Sequence, residues 1–87
     1  MFMPFYIYII QSQKDESYYI GSSGDLPDRI ERHNAGRSRY TRTRLPWELV
    51  YYEEFRTKSE ALKRENQIKR RKSKEYIKKL IEKFSSD

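Results

Sequence analysis

Cysteine is absent from the chain, which excludes a disulfide scaffold, a thiolate nucleophile and any zinc site built on sulfur. A reducing, cytoplasmic setting suits such a sequence. Long hydrophobic runs are lacking too. The most apolar stretch, residues 2–10, is about half what a membrane span requires, and it carries neither a basic flank nor a small-residue cleavage site. No segment reads as a linker or an internal repeat. Leu, Ile, Val and Phe together make up only 18 of the 87 residues, just above the roughly 20% that marks disordered chains. Charged residues reach 37% against 36% hydrophobic, so the core must be thin. Eight tyrosines and one tryptophan restore the balance, because each aromatic ring buries about 150–250 Å². With 87 residues, well below the length at which chains divide, the expectation is one small tyrosine-rich domain over 1–87.

Acidic charge thins out along the chain. Residues 1–55 hold seven basic and eight acidic side chains, whereas residues 56–87 hold twelve and five. A second basic patch lies in the middle, where Arg37, Arg39, Arg42 and Arg44 occur with no acid between them. Patches of this kind suit a polyanion, above all nucleic acid. The competing reading is a solvated face with an incidental excess of lysine.

Phe5 to Ile10 is a continuous aromatic and β-branched run, which predicts an interior strand buried on both faces. The polar stretch 11–17 joins it to a second short strand, Tyr18-Tyr19-Ile20-Gly21, as an antiparallel hairpin. Asp25 before Leu26-Pro27-Asp28 has the chemistry of a helix start, and Gly36 that of its end. Leu26, Ile30 and His33 fall on one apolar stripe of that helix, with Arg29 one turn before His33. After a basic loop over 37–46, Trp47 to Phe55 supplies the third strand. Thr57-Lys58-Ser59-Glu60 is a capping box opening a second helix with Ala61, Leu62 and Ile68 as its apolar positions. At 100° per residue Glu65 lies at about 40° from Ala61, inside that stripe. A buried carboxylate there requires a partner. Ser73 caps a last helix, about 74–84, with Tyr76, Ile77, Leu80, Ile81 and Phe84 along one side.

Tyr8, Tyr19, Arg29, His33 and Glu65 follow one another at spacings of 11, 10, 4 and 32 residues. On these residues the chain resembles the GIY-YIG endonuclease family, in its small stand-alone bacterial branch. The second half-motif stands as Tyr19-Ile20-Gly21 and the first as Tyr6-Ile7-Tyr8, with tyrosine in place of the first glycine. Asp25 to Asn34 places Arg29 and His33 where the family keeps them, and Ala61-Leu62-Lys63-Arg64-Glu65 supplies its glutamate. The likeness runs from about residue 5 to 72. Two positions depart from it. Ser22 stands where some relatives carry a lysine after the glycine, which leaves the phosphate to a group such as Arg29. No asparagine follows Asn66 to stand near a metal.

The resemblance implies an α+β fold, a three-stranded antiparallel sheet flanked by three helices in the order β-β-α-β-α-α. It also implies hydrolysis of phosphodiester bonds in DNA, a place in DNA repair, and one Mg²⁺ or Mn²⁺ held by Glu65. The residue chemistry fits those roles. Phosphodiester hydrolysis needs a base for the attacking water, a stabiliser for charge on the phosphate oxygens and, commonly, a metal. Arg29 offers a fixed guanidinium. Tyr8 or Tyr19 could take the water's proton with His33 relaying it, although a phenol of pKa about 10 needs help at neutral pH. Arg37, Arg39, Tyr40, Arg42 and Arg44 in the loop, with Lys69, Arg70 and Lys72 on the second helix, are the expected nucleic-acid contacts. Tyr40 either stacks on an unpaired base or anchors the loop.

Each residue also has a plain structural reading. Strand tyrosines pack, a helix histidine is often a satisfied core residue, and Glu65 could pair with a buried Arg or a Tyr hydroxyl. Two other functions are compatible with the same residues. One is a nucleic-acid-binding module of this fold with no or residual cleavage; the other is a protein-interaction domain using strand-edge tyrosines. A monomer without membrane association completes the expectation.

Overall fold

The computed structural model describes residues 3–85. Its elements run β1 (Phe5–Ser12), β2 (Tyr18–Ser23), α1 (Leu26–Asn34), β3 (Trp47–Phe55), α2 (Lys58–Arg71) and α3 (Lys74–Ser85). The sheet is antiparallel throughout in the order β2-β1-β3, so β1 is the central strand, as its unbroken apolar run required. Both β1 and β2 reach two residues beyond their expected ends. Cross-strand pairing carries them on, with Gln11 opposite Tyr18 and Tyr6 opposite Ser23. A short 3-10 turn over Arg42–Arg44 sits inside the basic loop, where no regular structure was expected.

Alternation along β1 divides the core in two. Ile7 and Ile9 point to one side, where they pack with Tyr51, Ala61, Ile68 and Ile77 beneath α2 and α3. Tyr8 and Ile10 point to the other, where Leu26 of α1 and Trp47 cover them. Each fully buried Ile contributes about 1.5–3 kcal/mol relative to exposure. A register shift between Ile9 and Ile10 against β3 places Leu49 opposite Ile10 and keeps the two faces distinct beyond that point.

Local chemistry sets the helix ends. Asp25 accepts from the Asp28 amide at 3.1 Å to start α1. Gly36 follows its end with φ +76, a conformation that suits glycine. The Thr57 and Glu60 capping box closes as expected, and the Ser73 hydroxyl accepts from the Tyr76 amide at 3.2 Å. The inner face of α2 differs from its expected composition. Leu62 is 40% exposed, and its place on the covered side goes to Arg64, which donates to Glu53 on β3 at 3.0 Å and to the Tyr76 hydroxyl at 3.1 Å. Tyr51 donates to the same carboxylate. A polar network therefore joins β3, α2 and α3 where the thin supply of aliphatic residues runs out.

Candidate active site

Tyr8 is directed toward α1 because it occupies the alternate register of β1, and it is almost fully buried. Its neighbour across the strand pair is Gly21. The phenol ring lies over that glycine so closely that a Cβ there would meet the hydroxyl at 2.5 Å and Cζ at 2.7 Å. Tyr19 comes from the same strand two residues earlier and lines the face beside it. His33 projects from the buried side of α1. The ring centroids of Tyr8 and Tyr19 are 6.5 Å apart, those of Tyr8 and His33 5.8 Å, and those of Tyr19 and His33 5.1 Å. Tyr8 and His33 are joined directly, hydroxyl to Nε2, at 2.9 Å.

The other nitrogen of His33 has a partner that the sequence did not reveal. Nδ1 lies 2.8 Å from the hydroxyl of Thr41, a fully buried residue of the basic loop. The Trp47 indole N–H donates to the Thr41 carbonyl at 2.8 Å, and so holds this part of the loop against the end of the sheet. Asn34 makes a second tie, accepting from the Trp47 amide at 2.6 Å and donating to its carbonyl at 2.9 Å. Thr41 stands among arginines in a stretch with no periodicity, and only the tertiary fold turns it inward.

Arg29 and Arg32 line a cleft of about 250 Å³ together with Tyr19, His33, Arg37 and Ser38. Burial, reinforced by the charges of Arg29 and Arg32, holds His33 below its ordinary pKa, so the imidazole is neutral at neutral pH. Tyr8 is pushed up to about 12, chiefly by burial and then by Tyr19; Arg29 pulls it down and Glu65 raises it further.

Glu65 reaches the site by its field and makes no direct hydrogen bond to the other four residues. Its side chain is 13% exposed, and Oε2 accepts from Lys69 at 2.6 Å one helical turn away. The expectation of an uncompensated carboxylate deep in the apolar stripe is corrected by this ion pair and by the partial exposure. Among the described residues no three His, Cys, Asp or Glu side chains assemble into a metal cage. A single oxygen donor suits a largely hydrated Mg²⁺, which takes few protein carboxylates. The seat of Lys69 on Glu65 shows that the position draws positive charge.

The expected nucleic-acid contacts are distributed unevenly. Arg37 enters the cleft, while Arg39 and Arg42 are exposed on the loop. Tyr40 is 60% exposed, with its ring 5.6 Å from Tyr19 and the Arg44 guanidinium 5.3 Å from its centre. Arg44 also pairs with Asp15 of the β1–β2 turn at 3.2 Å, which ties loop to hairpin. Lys69 is engaged by Glu65, and Lys72 ends α2 in a left-handed conformation. Arg70 lies on the outer surface of α2, in a groove shared with Lys63, Asn66, Gln67 and Arg71.

A strand-carried tyrosine beside a helix-borne Arg and His, on a three-stranded sheet in this order, defines a GIY-YIG protein. Residues 4–80 match the family described as the GIY-YIG catalytic domain, and the chain belongs to that family. It is 54% identical over 65 residues to a UPF0213 protein of Staphylococcus saprophyticus, covering 74% of this chain and 78% of that one. A UPF0213 protein of Haloquadratum walsbyi is 48% identical over 65 residues, with 74% and 72% covered. The solution NMR structure of a UPF0213 protein from Bacillus halodurans superposes with a TM-score of 0.57 at 35% identity, covering 91% of this chain and 83% of that chain. The sheet and helix order expected from the sequence is therefore the fold of the family. Among the described residues no helix is long and apolar enough to cross a membrane.

Proposed function

We propose that this protein is a divalent-metal-dependent endonuclease that hydrolyses phosphodiester bonds in DNA. The observation that carries the reading is the hydrogen-bonded Tyr8–His33 pair set against the arginine-lined cleft. A phosphate entering that cleft meets Arg29 and Arg37, whose guanidinium groups bind it and offset charge gathering on its oxygens. Tyr8, or Tyr19 beside it, is placed to receive a proton from water, with His33 assisting. Glu65 would hold Mg²⁺ or Mn²⁺, and the ion would supply electrostatic stabilisation of the phosphate and the leaving oxygen. Loop arginines and the basic C-terminal half would grip the backbone regardless of sequence. The protein acts as a monomer in the cytoplasm on this reading, and DNA repair is the process such an activity would serve.

A specific observation favours the second reading, a nucleic-acid-binding module with little or no cleavage. Glu65 is already paired with Lys69, and Tyr8 titrates near 12, far above neutrality. The test is cleavage of labelled duplex, branched and single-stranded DNA, and of RNA, in Mg²⁺ and in Mn²⁺, beside Glu65→Ala. Cleavage lost in that variant supports the nuclease; binding without cleavage in every metal supports the module.

A further inference from the structure

Tyr8, His33 and Thr41 form one hydrogen-bonded row, hydroxyl to imidazole to hydroxyl, with links of 2.9 Å and 2.8 Å. A neutral imidazole carries one N–H, so it donates along one link and accepts along the other. The direction of the row then depends on which hydroxyl has somewhere else to place its proton. Thr41 is fully enclosed, and among the described residues its hydroxyl has His33 Nδ1 as its one hydrogen-bond partner. If Nδ1 carried the proton, the Thr41 hydroxyl hydrogen would be buried without an acceptor, which folded proteins avoid. Tyr8 has an outlet. Its phenol lies within the influence of Arg29 and Glu65 at the charged cleft, where a carboxylate or water can accept from it.

The geometry assigns Thr41 as the residue that positions His33, donating to Nδ1 so that the imidazole proton stands on Nε2 and is directed at the Tyr8 oxygen. His33 then meets Tyr8 as a donor and not as the acceptor of its proton, so the help it offers is to hold the phenol oxygen in place and favour charge on it. The assignment deepens the nuclease reading and, for its kinetic consequence, rests on it. It also makes the basic loop part of the site. Thr41 lies between Tyr40 and Arg42, and Trp47 holds its carbonyl, so the segment that would meet the DNA backbone also orients the histidine.

The chain has a single histidine, so the nitrogen-15 spectrum of the imidazole reads the row without ambiguity. In the intact protein at a pH where the ring is neutral, we expect Nε2 at the shift of a protonated nitrogen and Nδ1 at that of a bare one. Thr41→Val should move both toward the averaged shifts of a freely exchanging imidazole, and Thr41→Ser should restore them. If the valine variant does not fold, Thr41→Ala takes its place, and the parent spectrum decides the tautomer by itself. A parent protonated at Nδ1 overturns the assignment, as do unchanged shifts in folded Thr41→Val or Thr41→Ala. With DNA as substrate, Thr41→Val should lower kcat by roughly tenfold or more with KM near the parent value, and Thr41→Ser should recover most of the loss. A parent that cleaves nothing removes the nuclease reading but leaves the spectroscopic result standing.

Discussion

Tyr8 and Gly21 face each other across β1 and β2, and the phenol of one occupies the space where the other would carry a side chain. The glycine is required by room, since its hydrogen atom is all that fits beneath the ring. The ring cannot swing clear, because it is buried and bonded to His33. Gly21 of the YIG sequence is thus the floor on which the proposed base rests.

Gly21→Ala should therefore overpack the site. The expected loss is about 1–3 kcal/mol, seen as a melting temperature lower by roughly 4–8 °C per kcal/mol for a domain of this size. Thermal unfolding followed by circular dichroism measures it. A variant as stable as the parent would show that the Tyr8 ring has freedom to move.

Removal of the two phenol hydroxyls should separate chemistry from packing. Tyr8→Phe and Tyr19→Phe are each expected to lower the cleavage rate by about 10² or more, the usual scale for a lost general base. Tyr8→Phe should also cost about 1–3 kcal/mol, because it leaves a buried His33 nitrogen without its partner. Tyr19 makes no such bond to His33 through its hydroxyl, so Tyr19→Phe should melt near the parent. Parental rates in both variants would make the tyrosines core residues only.

Glu65→Gln should abolish cleavage and leave DNA affinity within a few-fold. No gain in stability is expected from removing the charge. The Lys69 ion pair already compensates it, and a pair open to solvent on its lysine side is worth about 0–1 kcal/mol. Titration of Mn²⁺ by its paramagnetic effect on nearby resonances, with and without the substitution, reads the metal role independently of turnover. Full activity of a clean preparation of the Gln variant would falsify it.

Protonation of His33 should destabilise the fold. Its folded pKa lies below the ordinary 6.5, so the unfolded chain binds the proton more readily. The stability it contributes is complete above about pH 6.5 and falls as the pH drops through that value toward the folded pKa. Tyr8 and Tyr51 act at the other end. Both are raised to about 12, so the folded state loses stability above about pH 10, where an unfolded tyrosine ionises. Urea unfolding across pH should show both slopes, and a His33→Asn variant should lose the acid one. An equal acid slope in that variant would assign it to the carboxylates.

Binding should follow phosphates. The plot of log K against log salt is expected to fall by about 0.9 per duplex phosphate neutralised and about 0.7 on single strands. Replacing Arg39 and Arg42 by Ala should make it shallower by about one unit for each arginine that neutralises a phosphate, for all sequences alike. Tyr40 exposes much of its ring while resting on Tyr19, so Tyr40→Ala should weaken single-stranded or branched substrates by roughly 1–3 kcal/mol relative to duplex. Equal losses on both, with a lower melting temperature, would make it a loop anchor.

Pattern and spacing carry the strands, the helix starts and the identity of the paired faces, because those follow from alternation, periodicity and capping within a few residues. Asp25, Thr57 and Ser73 cap where their chemistry says they should, and β1 is central because its residues are apolar on both sides. Tyr8, Tyr19, Arg29 and His33 could be assembled from the sequence for the same reason, each sitting at a set phase of an element that packs on its neighbour. Glu65 showed its phase but not its company: the Lys69 ammonium is a neighbour by helix geometry, yet only the packed sheet decides that the carboxylate stays partly open to water. Thr41 and Trp47 were out of reach altogether. A loop has no period to read, and its inward turn results from burial of one indole and one hydroxyl against residues far away in the chain. The tertiary structure alone decides what stands on the far side of the histidine.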